Sequence, residues 1–226
     1  MVIFFVETNQ FISTSTSTTP KQELFMTKIS PLILRPDVTF DIFRHGDSAP
    51  ADDDFSRRLS ATGKVQAQVL GRELSSPYYD IGICSSAPLT LETAVFASGA
   101  VVPYWFIGGG RQFYSPAFDE DHAELMRLWA SLRSSSYRVY LDSDAHGIFQ
   151  RFKSETLAIM AGWRDVDRQP FVPRAKNILM FNHAVMSNAI AEALFPQHAE
   201  KVRGIELAPC DGIRLTATSC EHLRLA

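Results

Sequence analysis

Short apolar runs alternate with amphipathic stretches along most of this chain. The apolar runs predict buried strands at residues 38–43, 81–84, 101–107 and 177–182. Apolar residues at helical spacing predict helices at residues 59–74, 85–99, 119–133, 149–163 and 184–194. Two late strands are expected at residues 205–207 and 213–218. This alternation predicts an α/β fold, namely a three-layer α/β/α sandwich with a mostly parallel central sheet.

Local residues support several of the predicted helix ends. Ser60 is a suitable N-cap for the first helix, and Pro77, after two serines, ends it. The acidic residues 119–121 favour a helix start because they interact with the positive end of the helix dipole. The three aspartates at 52–54 lie in a polar segment that we interpret as a solvated acidic loop.

The first 30 residues differ from the rest of the chain. Residues 2–6 are apolar but too few to span a membrane, and residues 13–19 are all serine or threonine. No basic segment precedes the apolar residues, so a secretory signal is not expected. We therefore predict a flexible tail at residues 1–30, which leaves open whether it adds a strand. Residues 31–226 are then a single α/β domain with a variable insertion around 99–147.

Composition excludes several classes of function. The net charge of −3 provides no general attraction to nucleic acid or to an acidic membrane, so any anion site must be local. The three cysteines, at positions 84, 210 and 220, form neither an even set for disulfides nor a metal-binding spacing. Reduced thiols in a cytoplasmic protein are the simplest interpretation, and we predict neither a metal nor a cofactor.

The most informative chemistry is the tripeptide Arg44-His45-Gly46, which ends the first predicted strand. An arginine offers a planar fork of donors to phosphate oxygens, and a histidine ring nitrogen can act as a nucleophile. Glycine permits a sharp turn and a close approach to a ligand. A loop histidine held by nearby backbone groups is the alternative interpretation of so short a motif.

A second histidine, His183, follows the predicted strand at 177–182 and precedes a helix. In an open α/β sheet, ligands bind beyond the carboxyl ends of the strands. We therefore expect His45 and His183 to meet in one crevice despite their separation in sequence. Taken alone, His183 is also typical of a histidine that simply starts a helix.

Four stretches, in this order, carry a resemblance to a known family. They are Arg44-His45-Gly46, the segment 59–67 with the sequence LSATGKVQA, the segment 84–94 with its Ser-Ser and Glu-Thr-Ala, and Phe181-Asn182-His183. Together they resemble the histidine phosphatase superfamily, which has the phosphoglycerate-mutase-like fold, over residues 38–218. The resemblance agrees with the chemistry expected of the residues themselves.

The resemblance implies a metal-independent phosphatase in which His45 attacks the phosphorus of a phosphomonoester and forms a phosphohistidine. It implies that Arg44, His183 and Gly46 hold the phosphate and that water then releases it. The substrate would be a small phosphorylated metabolite or a phosphoprotein. A general acid must protonate the leaving oxygen, and Glu120 is the first candidate, with Asp119 and Asp47 as alternatives.

The sequence departs from the family pattern at one important place. The family has a second phosphate-binding arginine four residues before the threonine of Glu-Thr-Ala, where this chain has Leu89. Arg57 and Arg58 are the nearest candidates to replace it, and Arg111 is a more distant one. Two smaller departures are Ala184, in place of a glycine after the second histidine, and Ala51, where mutase-type relatives have a polar phosphate contact.

Three functions follow from these residues, and an active phosphatase is the leading hypothesis. A degenerate family member that binds a phosphorylated ligand or partner without turnover is the second, and Leu89 is its main support. A phosphomutase is the third, although no further basic cluster for a bisphosphorylated intermediate is present. Substrate identity and oligomeric state stay open. Aromatic residues within 99–147 are expected either in the core or around a pocket above His45.

Overall fold

The computed structural model describes residues 2–5, 36–51, 56–74, 79–97, 102, 104–108, 111–165 and 175–225. Seven strands form one sheet: β1 (Val2–Phe5), β2 (Thr39–Arg44), β3 (Ile81–Cys84), β4 (Tyr104–Ile107), β5 (Asn177–Asn182), β6 (Gly212–Leu215) and β7 (Cys220–Leu223). The helices are α1 (Ala61–Glu73), α2 (Pro88–Ala97), α3 (Asp119–Leu132), α4 (Tyr137–Ser143), α5 (Ile148–Asp165), α6 (Ala184–Leu194) and α7 (Ala199–Arg203), and a 3-10 turn covers Pro196–His198.

The strand order is β1-β4-β3-β5-β2-β6-β7. The pairs among β1 to β5 are parallel, whereas β6 pairs antiparallel with both β2 and β7. β2 and β5 lie side by side in the middle of the sheet, and their register places Arg44 opposite Asn182. The two strands therefore end at the same level, and the residues that follow them meet at one edge of the sheet.

Alternating side chains of the central strands fill two separate cores. Phe40 and Ile42 of β2 belong to a cluster with residues of α5 and α6, whereas Phe43 belongs to a cluster with residues of α1 and α2. Because successive residues of a strand point to opposite faces, both faces of the sheet are covered by helices. The predicted three-layer α/β/α sandwich with a mostly parallel sheet is thereby confirmed.

One buried charged group lies among these apolar strands. Asp41 is fully buried and accepts two hydrogen bonds from the Arg214 guanidinium, at 2.9 and 2.7 Å. The Tyr79 hydroxyl donates to the same carboxylate at 2.6 Å. These contacts join β2 to β6 and to the segment before β3. Burial, together with the adjacent Asp41 charge, raises the pKa of Tyr79, so its hydroxyl stays protonated and can donate.

Most predicted elements are present, and β3, β5 and α6 have the predicted bounds. The predicted strand at 205–207 is wrong, because only Glu206 makes an isolated bridge, to Ser136. The helix α4 and the strand β7 were not predicted. Each is short, and a seven-residue helix or a four-residue edge strand carries too few periodic positions to be recognised.

The terminal and loop predictions are only partly covered by the described residues. Val2–Phe5 forms β1 and pairs parallel with β4. The rest of the predicted flexible tail, the aspartates at 52–54 and the predicted helix end at residue 99 lie outside the described residues. The domain boundaries stay a prediction. No helix in the described part of the chain is both long and apolar enough to cross a membrane.

Candidate active site

The register of the sheet brings the two predicted histidines together. His45 follows Arg44 at the end of β2, and His183 follows Asn182 at the end of β5. The backbone N–H of His45 donates to the Asn182 carbonyl at 2.9 Å, which continues the ladder by one residue. The two rings lie 4.9 Å apart between centroids in an edge-to-face arrangement. The expectation that both histidines share one crevice is confirmed.

The loop after His45 is held tightly against α1 and α2. A side chain at Gly46 would lie 2.6 Å from the Gly63 carbonyl oxygen, and one at Gly63 would overlap the Asp47 backbone. The Gly46 N–H donates to the Thr93 hydroxyl at 3.1 Å, and the Asp47 N–H donates to the Gln66 side chain at 2.8 Å. The glycines are thus required by close packing of the loop on the helix.

The ring of His45 is fixed in one tautomer. Its Nδ1 lies 2.7 Å from the Gly46 carbonyl oxygen, which can only accept, so Nδ1 carries the proton and Nε2 carries the lone pair. Burial lowers the pKa of His45 to about 4, and the charges of Arg44 and Arg57 act in the same direction. The ring is therefore neutral near pH 7, which is the form that a nucleophile requires.

His183 is also buried and neutral. Burial lowers its pKa well below the ordinary value, and the neighbouring His45, Arg57 and Arg44 add to this effect. The Tyr114 ring packs edge-to-face on it at 4.7 Å. Its backbone N–H donates to the Asn182 side-chain oxygen at 2.8 Å, while the Asn182 amide donates to the Phe113 carbonyl at 2.7 Å. Its Nε2 is buried and has no hydrogen-bond partner among the described residues.

Arg44 is anchored at one end of its guanidinium. Its Nη1 donates to the Leu207 carbonyl at 2.7 Å, and its Nε is buried without a partner among the described groups. Burial lowers the pKa of Arg44, and the nearby Arg57 contributes to this shift. The guanidinium nevertheless stays charged, because arginine is not deprotonated in proteins.

Arg44, His45, Arg57 and His183 line a cleft of about 420 Å³. The remaining described lining comes from α3, α4, α6 and the segment between α3 and α4: Met126, Trp129, Ala130, Ser134, Tyr140, Ala184 and Val185. α6 begins at this cleft, so the positive end of its dipole faces the space beside His183. Two arginines, a helix N-terminus and two neutral histidines together suit a phosphate-sized anion.

No protein-family model matches this chain, and no curated protein matches its sequence. Solved structures do match. One, from Escherichia coli, is assigned as an alpha-ribazole-5′-phosphate phosphatase; it has a TM-score of 0.54 and 17% identity, over 83% of this chain and 95% of that one. A mycobacterial glucosyl-3-phosphoglycerate phosphatase in complex with VO3 has a TM-score of 0.53 and 14% identity, over 82% and 97% of the two chains. A mycobacterial hydrolase has a TM-score of 0.54 and 15% identity, over 84% and 99%.

The chain shares the fold of these phosphatases and this hydrolase. At these identities the likeness concerns the architecture, and the roles of individual residues depend on the geometry of the cleft itself. The resemblance that four short motifs indicated is therefore confirmed at the level of the fold.

The three arginines proposed to replace the missing phosphate contact, Arg57, Arg58 and Arg111, are placed differently. Arg57 lines the cleft with Arg44 and both histidines. Arg58 lies 3.6 Å from the Glu92 carboxylate, and its side chain is 62% exposed. Arg111 pairs with Asp119 at 2.7 Å and does not line the cleft. Of the three candidates, only Arg57 is among the described residues that line the cleft.

None of the predicted acids is among the described residues that line the cleft. Glu120 and Asp119 lie in the first turn of α3, exposed and outside the described lining of the cleft. One Asp47 carboxylate oxygen accepts the Ser60 hydroxyl at 2.7 Å, and Ser60 in turn caps α1. Asp47 thus anchors the start of this helix, and no described carboxylate lines the cleft.

Leu89 is fully buried in the core between the sheet and α1 and α2. α2 therefore contributes no cation to the cleft. Ala184, which replaces the glycine after the second histidine, is not among the described residues with positive φ, so alanine fits there without strain. Met126, Ser134 and Tyr140 line the cleft without having been predicted, because only the packing of α3 and α4 brings them there. Val185, which was not predicted either, lies in the first turn of α6, after His183.

The low pKa of His45 makes folding depend on pH. The ring binds a proton less readily in the folded chain than in the unfolded chain, so its contribution to stability is complete above about pH 6.5 and is lost as the pH falls toward 4. For this group alone we expect the free energy of unfolding to fall by about 2 kcal/mol between pH 7 and pH 5. Urea unfolding at both pH values measures the loss, and His45→Gln should remove that share. An equal loss in the variant would contradict the prediction.

Proposed function

We propose that this protein is a phosphatase that hydrolyses phosphomonoesters through a covalent phosphohistidine on His45. The observation that carries the proposal is the fixed tautomer of His45, whose Nδ1–H donates to the Gly46 carbonyl at 2.7 Å. The lone pair is therefore on Nε2, and the ring lies in a cleft lined by two arginines and a second neutral histidine. This arrangement supports attack on a bound phosphate at neutral pH.

The proposed reaction has two displacements. In the first, the Nε2 lone pair of His45 forms a bond to phosphorus, and the bond from phosphorus to the ester oxygen breaks. The bonding electrons stay on that oxygen, which takes a proton and leaves as the alcohol. In the second, a water oxygen attacks phosphorus, the N–P bond breaks with its electrons returning to Nε2, and a water proton is released with the phosphate. The net reaction is ester plus water to alcohol plus phosphate.

The surrounding groups would stabilise the phosphoryl group during transfer. Arg44 and Arg57 neutralise charge on the non-bridging oxygens, and the start of α6 adds backbone donors. The unpartnered Nε2 of His183 and Nε of Arg44 are buried polar atoms that a phosphate would satisfy. Preorganised donors of this kind are usually the largest contribution to catalysis of charge-developing reactions.

Metal-free phosphate release tests the proposal directly. The protein is incubated with EDTA and 4-nitrophenyl phosphate, phosphate release is followed, and the reaction is then quenched at alkaline pH for peptide mass spectrometry. We expect turnover in EDTA, a single phosphoryl adduct on His45, and inhibition by vanadate, the class of ligand bound by the mycobacterial phosphatase. Turnover without an adduct, or with the adduct on another residue, would overturn the covalent mechanism.

Arg57 and Arg58 provide a matched pair of variants. We expect Arg57→Ala to lower kcat/KM about 100-fold, because one charged contact to the phosphoryl group is lost. Arg58→Ala should change it less than about twofold, since an exposed pair with Glu92 contributes little. Steady-state kinetics on 4-nitrophenyl phosphate measures both. Equal losses in the two variants would show that Arg57 has no special role.

Leu89 favours one second candidate, a protein that binds a phosphorylated ligand without turnover. Its burial means that α2 contributes no arginine to the phosphate. Calorimetry with inorganic phosphate distinguishes the two functions when combined with the turnover assay. Phosphate binding that is lost in Arg44→Ala, with no turnover of any ester, would favour the binding protein.

A further inference from the structure

The cleft has two chemically different walls. Arg44, His45, Arg57 and His183 form a polar end suited to phosphate. Most of the remaining described lining forms an apolar wall supplied by α3, α4 and α6: Met126, Trp129, Ala130, Tyr140 and Val185. Ser134 is the one additional hydroxyl of the described lining apart from Tyr140. The volume of about 420 Å³ lies in the range of small-molecule sites.

The apolar wall favours some phosphate esters over others, according to the polarity of the group attached to the phosphate. Sugar hydroxyls or a substrate carboxylate lose hydration in the cleft and need partners there. The described lining has no Asp, Glu, Lys, Asn or Gln side chain beyond the phosphate end. A flat apolar group instead buries its surface against the Trp129 ring and the flexible Met126 thioether.

The chemistry of the leaving group also favours an aromatic ester. An aryl oxide resembles the tyrosine phenolate, whose acid has a pKa of about 10, whereas an alkoxide is a much stronger base and therefore a poorer leaving group. No carboxylic acid is among the described residues that line the cleft. An aromatic ester therefore matches both the wall and the chemistry, because its oxygen leaves more readily without a positioned proton donor.

We infer, building on the proposed phosphatase activity, that the cleft selects phosphate monoesters of aromatic alcohols. When such an ester reacts, the bond from phosphorus to the aryl oxygen breaks as the Nε2–P bond forms. The electron pair stays on the aryl oxygen, which takes its proton from water after departure. Trp129 and Met126 act as specificity-determining residues that hold the ring.

Four esters separate recognition of the ring from reactivity of the leaving group: 1-naphthyl phosphate, phenyl phosphate, benzyl phosphate and glycerol 1-phosphate. Benzyl phosphate has an aromatic ring but an alkoxide leaving group. We expect kcat/KM to fall in that order, with KM for benzyl phosphate at least about tenfold below that for glycerol 1-phosphate, since burying a ring contributes on this scale. A KM for glycerol 1-phosphate equal to or below that for benzyl phosphate would overturn the inference.

Two wall variants locate the selectivity. Trp129→Ala and Met126→Ala should each lower the ratio of kcat/KM for 1-naphthyl phosphate to kcat/KM for glycerol 1-phosphate, by about tenfold for the tryptophan. The Trp129 ring packs on the Tyr114 ring, which in turn packs on His183, so Trp129→Ala could also disturb the catalytic histidines. Met126 is not part of this stack of rings, and Met126→Ala is therefore the second variant. Equal losses for both esters in both variants would show that the wall does not select the ring.

A binding measurement keeps this inference separate from the proposed activity. Calorimetry compares phenylphosphonate with methylphosphonate, neither of which can be hydrolysed. Phenylphosphonate should bind about tenfold more tightly, and Trp129→Ala should remove the difference. Tight, Trp129-dependent binding without turnover of any ester would refute the phosphatase while supporting the ligand class. Turnover with equal binding of the two phosphonates would support the phosphatase and refute the ligand class.

Discussion

Replacing His45 by alanine should reduce phosphate release by a factor on the order of 10⁴ or more, because the variant has no nucleophile to form the covalent intermediate. The residual rate would come from Arg44, Arg57 and the start of α6, which can still bind and polarise the ester. The expected loss should be mainly in kcat, since the phosphate contacts remain. Steady-state kinetics on 4-nitrophenyl phosphate in EDTA measures the effect.

His146→Ala is the matched control for this prediction. His146 is exposed and is not among the described cleft lining, and its side chain lies 3.9 Å from the Glu124 carboxylate. Its removal should leave kcat/KM within about twofold of the native value, as expected for an exposed pair. His45→Gln, which retains a polar side chain of similar length, guards against a loss caused by unfolding. Substantial turnover in a folded His45→Gln protein would rule out the phosphohistidine route.

The second large effect concerns stability. We expect Asp41→Ala to lower the free energy of unfolding by about 3–5 kcal/mol, because the substitution removes one partner from a buried, hydrogen-bonded charge pair. The Arg214 guanidinium would lose two hydrogen bonds, and the Tyr79 hydroxyl would lose the Asp41 carboxylate to which it donates. Both would remain partly or fully enclosed between β2, β6 and the segment before β3.

Asp37→Ala provides the comparison for Asp41. Asp37 lies two residues before β2 and its carboxylate is 3.6 Å from the Lys176 ammonium, with both side chains largely exposed. Urea unfolding at pH 7 should show a loss below about 1 kcal/mol for this variant, as for other surface ion pairs. If Asp41→Ala cost no more than Asp37→Ala, the buried network would not be a significant source of stability.

Much of the fold follows from local patterns. β3, β5 and α6 were predicted with their observed bounds because each combines a short apolar run or a helical stripe with a recognisable end. The strand predicted at 205–207 was wrong because three apolar and polar residues in alternation are also typical of an irregular segment. In the structure this segment supports the site, since the Leu207 carbonyl accepts the Arg44 guanidinium.

The sequence was sufficient to place some residues of the candidate site but not others. His45, His183 and Arg44 were recognisable because each ends a strand, and parallel strands present their carboxyl ends at a common edge. Arg57 and Arg58 could not be separated in sequence, since neighbouring residues in a loop have no fixed direction. Glu120 was predicted from its place after the second helix, but it is not among the described residues that line the cleft, whereas Met126 and Trp129 of the same helix are.

Local sequence was sufficient for what depends on neighbouring residues: the apolar strands, the helix caps, and the pairing of a histidine with an arginine and a glycine at a strand end. The tertiary structure alone decided which strand ends meet, because the register of β2 with β5 joins residues more than a hundred positions apart. It also decided which arginine lines the cleft and which helix surfaces cover it. These outcomes depend on packing between distant elements, whose energies are shared by many residues and are not encoded in any one motif.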